Sequence, residues 1–363
     1  MNKSQESASA PPESESLAEV RRGSITESRH RGHIVAVDSD GIILARFGSP
    51  DALTYLRSSA KPFQTFPLVA TGAADRFGLD EREIAIACGS HNGDPIHVET
   101  VSSILGKIGL DASALKCGTH EPYSPEAARA LRESGTEPSV LHSNCSGKHA
   151  GMLALALHLG APIETYDQPD NPVQLSIARA VEHFSGVPLE DIAVGIDGCG
   201  VPVHGVPLRA MALMYARLVV PPATFDSTTR DASRRIVASM LSHPEMIGGE
   251  TESLDTALMR VVPGSLIAKA GAEGLFTAGV LPSERWPRGL GLAIKIEDGD
   301  KGSRARRPVV VETLGQLGLL SDDALRALSP YAVSPIKNHR SETVGEVRAS
   351  FQLQLTGFDD QER

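Results

Sequence analysis

The sequence predicts an α/β sandwich: an antiparallel sheet built from both ends of the chain, with a helix-rich middle inserted between them. Three observations carry that expectation. Near the start, His33-Ile-Val-Ala-Val37 and Ile42-Ile-Leu-Ala-Arg46 flank Asp38-Ser39-Asp40-Gly41, the pattern of a β-hairpin. Strand-like apolar runs return only late, at 265–268, 274–280 and 290–296, with a last one near 344–355. Between the two clusters, the spacing of apolar residues is helical.

The elements follow in order. Residues 1–30 are rich in Ser, Glu and Pro and bury too little to order themselves, so they are expected to be a disordered tail. They contain no apolar stretch of the kind a secretory signal needs. Residues 62–76 and 96–108 carry helical spacing, and Glu83-Ile-Ala-Ile-Ala-Cys88 between them reads as a short buried strand or turn ending at Gly89. Residues 150–157 are almost wholly apolar, which predicts a helix buried all round and stopped by Gly160 and Pro162. Residues 172–185, 226–241 and 251–261 have the pattern of amphipathic helices, and 298–307 form a charged turn ahead of another helix. Nothing between 31 and 357 looks like a linker or a repeat, so residues 31–363 are expected to form one catalytic domain with an inserted helical part.

Composition narrows the function. A chain of 363 residues needs no disulfide staples. With 35 Lys and Arg against 45 Asp and Glu, its net charge of -10 opposes binding to nucleic acid, and 4% aromatic residues leave little for base stacking. No apolar run reaches the ~18 residues that span a bilayer. Cysteines 88, 117, 145 and 199 stand far apart and are read as reduced thiols of a cytoplasmic protein.

Two constellations carry chemistry. A serine hydroxyl becomes nucleophilic when a neighbouring base takes its proton, and a lysine is that base only when neutral, which burial or a nearby cation favours. Ser58-Ser59-Ala60-Lys61 places a serine and a lysine on one face of a helical turn, followed by Pro62 in a first-turn position. The spacing alone does not decide. It recurs at Ser113/Lys116 and Ser334/Lys337, and a capping serine beside a solvated lysine gives the same letters. Order lifts the first copy. Ser58-x-x-Lys61, Ser90-His91-Asn92 and Lys269-Ala270-Gly271 follow the sequence S-x-x-K, S-D-N, K-T-G of penicillin-recognising enzymes, with His for Asp and Ala for Thr.

The second constellation is Cys145, Lys148 and Cys199. Asn144 at a helix start would place Cys145 in the first turn, where thiolate is favoured, and Cys199 lies in the tight Asp197-Gly-Cys-Gly200. Two thiolates and a nitrogen suit Zn²⁺ with one position open; buried structural cysteines are the alternative, and His149 is an easier nitrogen ligand than Lys148. Ser146-Gly147-Lys148 is not a P-loop, because His142 and His149 occupy the positions that need Gly and Ser/Thr. Gly195-x-x-Gly198-x-Gly200 runs straight into Val201-Pro202 and is no dinucleotide fingerprint.

Together, Arg57-Ser-Ser-Ala-Lys-Pro-Phe-Gln64, Cys88-Gly-Ser-His-Asn-Gly93, His142-Ser-Asn-Cys-Ser-Gly-Lys-His-Ala-Gly151, Asp197-Gly-Cys-Gly200 and Gly291-Leu-Ala-Ile-Lys-Ile-Glu-Asp-Gly299 resemble the Rhizobium-type, thermolabile L-asparaginase II family. The resemblance runs from about residue 31 to the C-terminus. It implies a fold like serine β-lactamases and serine-type glutaminases, a homodimer, and hydrolysis of L-asparagine to L-aspartate and ammonia. It assigns catalysis to Ser58, Lys61, Ser90 and Lys269, and zinc to Cys145, Lys148 and Cys199. From charge, Arg57 and Asp197 are expected to hold the substrate's α-carboxylate and α-ammonium, with Asn92 and His149 also facing substrate. A glutaminase or broader amidase, and a non-catalytic zinc- or thiol-sensing protein, are the competing readings.

Overall fold

A computed structural model describes residues 14–251 and 253–356. Its main sheet is antiparallel throughout and comes from both chain ends. The N-terminal part supplies β1 (Glu15–Arg22), β2 (Ile25–Val37) and β3 (Ile43–Phe47). A second, three-stranded sheet is made of β4 (Leu53–Tyr55), β5 (Ala193–Ile196) and β6 (Pro202–Pro207), in the order β4-β6-β5. The C-terminal part returns with β7 (Leu266–Ala270), β8 (Leu275–Val280), β9 (Leu290–Ile296), β10 (Val333–Lys337), β11 (Thr343–Ala349) and β12 (Gln354–Leu355). The order in the main sheet is β10-β11-β1-β2-β9-β8-β7, with β3 pairing β2 and β12 pairing β3.

The expected tail is the main correction. Residues 15–30 are not disordered: β1 pairs with β2 from Glu15 to Arg22 and with β11 from Ala18 to Arg21. A strand needs only one apolar face. Leu17, Ala18 and Val20 supply it and are buried, while the Ser and Glu residues that made the segment look tail-like sit around them. Gly23 (φ 57°) turns β1 into β2. The first 13 residues of the expected tail lie outside the described part.

The middle of the chain is helical as the spacing predicts. It holds α1 (Lys61–Ala70), α2 (Ala73–Arg76), α3 (Glu81–Ala87), α4 (Pro95–Lys107), α5 (Pro125–Ser134), α6 (Ser146–Leu159), α7 (Pro172–Ser185), α8 (Leu208–Val219), α9 (Ser227–Ser242) and α10 (Leu254–Val261). Three more follow the charged turn: α11 (Arg306–Gln316), α12 (Asp322–Ala327) and α13 (Ser329–Ala332). The stretch read as a strand or turn at 83–88 is α3. Its start is fixed by a reciprocal capping box between Asp80 and Glu83, a signal that the unbroken apolar run concealed.

α1 runs through the helical layer with nine buried residues, Lys61 to Val69. Phe63 and Phe66 pack against Phe184 of α7, and Phe63 meets Tyr215 of α8 edge-on. α8 in turn lies on β2, β8 and β9. That approach is close enough to require glycine: a Cβ at Gly291 would stand 1.8 Å from the Ala212 carbonyl oxygen. The Tyr215 hydroxyl crosses the layer to donate to the Ser59 carbonyl at 2.9 Å, tying the sheet-facing helix to the turn that carries Ser58.

Candidate active site

The site is assembled where four chain segments meet. Ser58 lies in a single 3-10 turn, Arg57–Ala60, that leads straight into α1, so Lys61 is the helix's first residue and Pro62 follows where no amide donor is needed. Ser90 comes just after α3, its amide held by the Ile247 carbonyl at 2.8 Å. Asn144 and Cys145 precede α6. Lys269 stands on β7, between Ser59 and Thr277, which both donate to its carbonyl.

A cavity of about 400 Å³ opens among these segments. Ser58, Ser90, Asn92, Asn144 and Lys269 line it, with Asp255 and Arg306 farther along. Its size is that of a small-ligand pocket. Lys269 lines it, Lys61 and Lys148 stand on the same segments behind it, and each of the three is no more than 3% exposed. A buried ammonium is costly without partners, so each has a reason to be there.

Lys61 has three close partners. Its Nζ lies 2.6 Å from the Gly89 carbonyl, 2.9 Å from the Asn144 carbonyl and 2.9 Å from Ser90 Oγ. Carbonyls only accept, so they take two N–H groups and leave the third direction to Ser90. Burial pushes Lys61 below its ordinary range; the Cys145 sulfur opposes this and Lys148 reinforces it. The expected Ser58–Lys61 hydrogen bond is therefore replaced by Ser90–Lys61. The i,i+3 spacing brings Ser58 onto the right face, but the long lysine stem carries Nζ past it to the α3 end. The Ser58 hydroxyl lines the cavity and has no hydrogen bond to a described residue. Just before it, Arg57 sits at φ 45°, a left-handed conformation that costs a non-glycine residue energy and that clusters at functional sites.

Lys269 Nζ donates to the Ala270 carbonyl at 2.8 Å and lies 3.8 Å from Asp255 Oδ2. Burial lowers it to about 8, against the pull of Asp255 and with the help of Lys61.

The four substrate-facing expectations divide. Asn92 lines the cavity. Arg57 and Asp197 do not; they bind each other, Nε to Oδ1, at 2.9 Å. Arg57 also reaches toward Glu273 of the cavity wall, 3.7 Å from its Nη1 to Oε1. His149 is fully buried, and its Nδ1 pairs with the Tyr166 hydroxyl at 2.7 Å in the helical layer. One helix position beyond Lys148, it faces the core rather than the cavity. Asp255, Ser253, Tyr123 and Arg306 line the cavity without having been singled out. Asp255 had no distinctive signal, since an acid in a first helical turn after a capping serine is ordinary.

Cys145, Lys148 and Cys199 do come together. The Lys148 ammonium donates to Cys199 Sγ at 2.9 Å. The Cys199 thiol donates to Cys145, which together with Lys61 and Lys148 holds Cys145 well below its usual range despite burial. Cys199 rises correspondingly. Burial would lower Lys148, but the two sulfurs outweigh it and raise it. All four cysteines are free. Among the described residues no group of three or more His, Cys, Asp or Glu converges on a metal-sized space. Two sulfurs and one amine in mutual contact nevertheless form a donor set that fits a soft divalent cation once the lysine gives up its proton.

No described helix is long and apolar enough to cross a membrane. No curated protein matches the sequence. Among solved structures the chain is similar to a probable glutaminase from Bacillus subtilis complexed with 6-diazo-5-oxo-L-norleucine (16% identity, 82% of this chain and 87% of that one, TM-score 0.39). It is also similar to a β-lactamase from Burkholderia ambifaria (16%, 80% and 96%, TM-score 0.38) and to Mglu in its native form (13%, 83% and 68%, TM-score 0.42). The family model of L-asparaginase II matches residues 18–349, from within β1 to the end of β11, and the chain belongs to that family of amidohydrolases.

Proposed function

We propose that the chain hydrolyses the side-chain amide of L-asparagine, giving L-aspartate and ammonia through an acyl-enzyme. The observation that carries this reading is the partner set of Lys61. With two N–H groups committed to carbonyls, a neutral Lys61 directs its lone pair at hydroxyl protons in the cavity.

Ser58 attacks the amide carbon. Lys61 turns its lone pair from Ser90 to take the Ser58 proton, and Ser90 and Lys269 pass a proton to the departing nitrogen, which leaves as ammonia. Water then cleaves the ester, returns the Ser58 hydroxyl and releases the carboxylate product. Cys145, Lys148 and Cys199 would hold Zn²⁺, which when bound supplies a Lewis-acidic position for a substrate oxygen. The assembly is a homodimer by family resemblance, checked by sedimentation.

The Lys61–Ser90 contact favours a second reading in which Ser90 is the nucleophile. A slowly turned-over asparagine analogue separates the two: peptide mass mapping of the trapped acyl-enzyme finds the label on Ser58 in the first and on Ser90 in the second. Ammonia release persisting at the wild-type rate in both Ser58→Ala and Ser90→Ala removes serine catalysis altogether. Glutamine is the nearest competing substrate, since one methylene is worth only ~1–3 kcal/mol of discrimination. Parallel kinetics on the two amides decide between them. A thiol-sensing protein without catalysis would instead tolerate loss of Lys61 and Lys269.

A further inference from the structure

The two lysines of the proposed mechanism differ in their surroundings in one respect. The hydrogen-bond partners of Lys61 are carbonyls and a hydroxyl. Only Lys269 has a carboxylate beside it. Asp255 is 4% exposed and lines the cavity. It is held in the first turn of α10, after the Ser253 cap. Its Oδ2 accepts the Ala270 amide at 2.8 Å and lies 3.8 Å from Lys269 Nζ. Its Oδ1 is buried without a hydrogen-bond partner. A buried carboxylate oxygen left unpaired is rare, and the Lys269 ammonium is the cation paired with this carboxylate.

We propose that Asp255 is a positioning residue that keeps Lys269 protonated, so that Lys269 serves as the cationic proton donor while Lys61 serves as the neutral base. This rests on the reading above and divides the labour between its two lysines. The groups facing Lys269 are few. Asp255 comes from α10, Lys61 from the start of α1, Arg306 from the start of α11, Cys145 from the start of α6 and Cys88 from the end of α3. Burial, Lys61 and Arg306 push Lys269 toward neutrality; Asp255 is the strongest influence the other way. A neutral Lys269 would have no reason to hand a proton to a leaving amine, and two neutral lysines would leave the step without an acid.

The test is Asp255→Asn. The amide oxygen of asparagine still accepts the Ala270 amide, so the fold is kept while the charge is removed. The expected result is an alkaline limb of kcat/KM for asparagine shifted about one pH unit or more to the acid side, with KM little changed and Asp255→Glu restoring most of the profile. In parallel, NMR titration of the ¹³C/¹⁵N-labelled Lys269 side chain, assigned with Lys269→Met, shows a lower midpoint in Asp255→Asn. A Lys269 midpoint unchanged by the substitution overturns the inference and leaves the amidohydrolase mechanism standing. A wild-type chain that releases no ammonia from asparagine or glutamine overturns the mechanism, and the NMR midpoint still reads the Asp255–Lys269 coupling on its own.

Discussion

Lys61 and Lys148 are both buried, and both stand in the first turn of a helix, yet their partners drive them in opposite directions. Lys61 meets two carbonyls and a hydroxyl; burial lowers it most, and the pull of the Cys145 and Cys199 sulfurs does not overcome that. Lys148 lies between two sulfurs, and their attraction overrides burial. The same residue type is therefore pushed toward neutrality in one place and held as a cation, as long as no metal claims it, in the other. The difference lies in which atoms the turn presents: carbonyl dipoles do not repay a full charge taken out of water, and a thiolate does.

The comparison breaks most sharply at Lys61. Lys61→Met keeps the stem and deletes the amine. It is expected to lower ammonia release by ~10³-fold or more, since both proton transfers lose their base. Lys148→Met is expected to act on the sulfurs first. Without the ammonium, Cys145 loses a favourable neighbour and its titration moves up. Thiolate absorbance at 240 nm against pH, with Cys145→Ser as the blank, reads this directly. A titration unchanged by Lys148→Met would mean that Cys199 and Lys61 sustain the thiolate without it.

How much of this was legible in the sequence depends on the scale of the interaction. The strand clusters at the two ends and the helices between them were visible because period and apolar spacing are local. So was the approach of Ser58, Ser90 and Lys269 to one cavity, with Lys61 reaching Ser90 behind it, through the order of three short motifs. β1 was hidden because composition averages over a segment, whereas Leu17, Ala18 and Val20 need only one face and two neighbours to make a strand. The Arg57–Asp197 pair was hidden for the opposite reason. Each residue was read by its own charge, and nothing local shows that residues 140 apart in the chain pair with each other. Asp255 was invisible because its meaning comes entirely from Lys269 across the β7–α10 contact.

A third measurement sharpens the contrast through stability. Lys269 titrates near 8 when folded and at 10.5 when free. Between those values the unfolded chain binds the extra proton, so stability rises with pH, and the penalty is full below about 8 and gone above about 10.5. Relative to Lys269→Met, the wild type is expected to gain on the order of 3 kcal/mol across that window, at 1.36 kcal/mol per unit. Lys148 behaves inversely: its folded value is raised, so its contribution is complete below 10.5 and declines only at higher pH. Denaturant unfolding at pH 7.5, 9 and 10.5 measures the slope, and a flat difference would show that Lys269 keeps its ordinary value when folded and stays charged throughout that window.

The smallest effect concerns the hinge between the two lysine environments. Arg57 spans from the Ser58 turn to Asp197, two residues before Cys199, and does so at φ 45°. If the left-handed backbone is strain held by that ion pair, the usual order of substitution costs reverses here. Arg57→Ala and Arg57→Gly both delete the pair, but only alanine keeps a Cβ that resists positive φ. Glycine, normally the more destabilising of the two through its unfolded-state entropy, is expected to be the more stable by about 1 kcal/mol. The same pair of variants reads the function of the strain. With the turn free to relax, Ser58 loses its fixed exposure to the cavity, and ammonia release falls further in Arg57→Gly than in Arg57→Ala even though the glycine variant is the more stable. Alanine matching or exceeding glycine in stability would show that the turn is imposed by its neighbours and stores nothing at position 57.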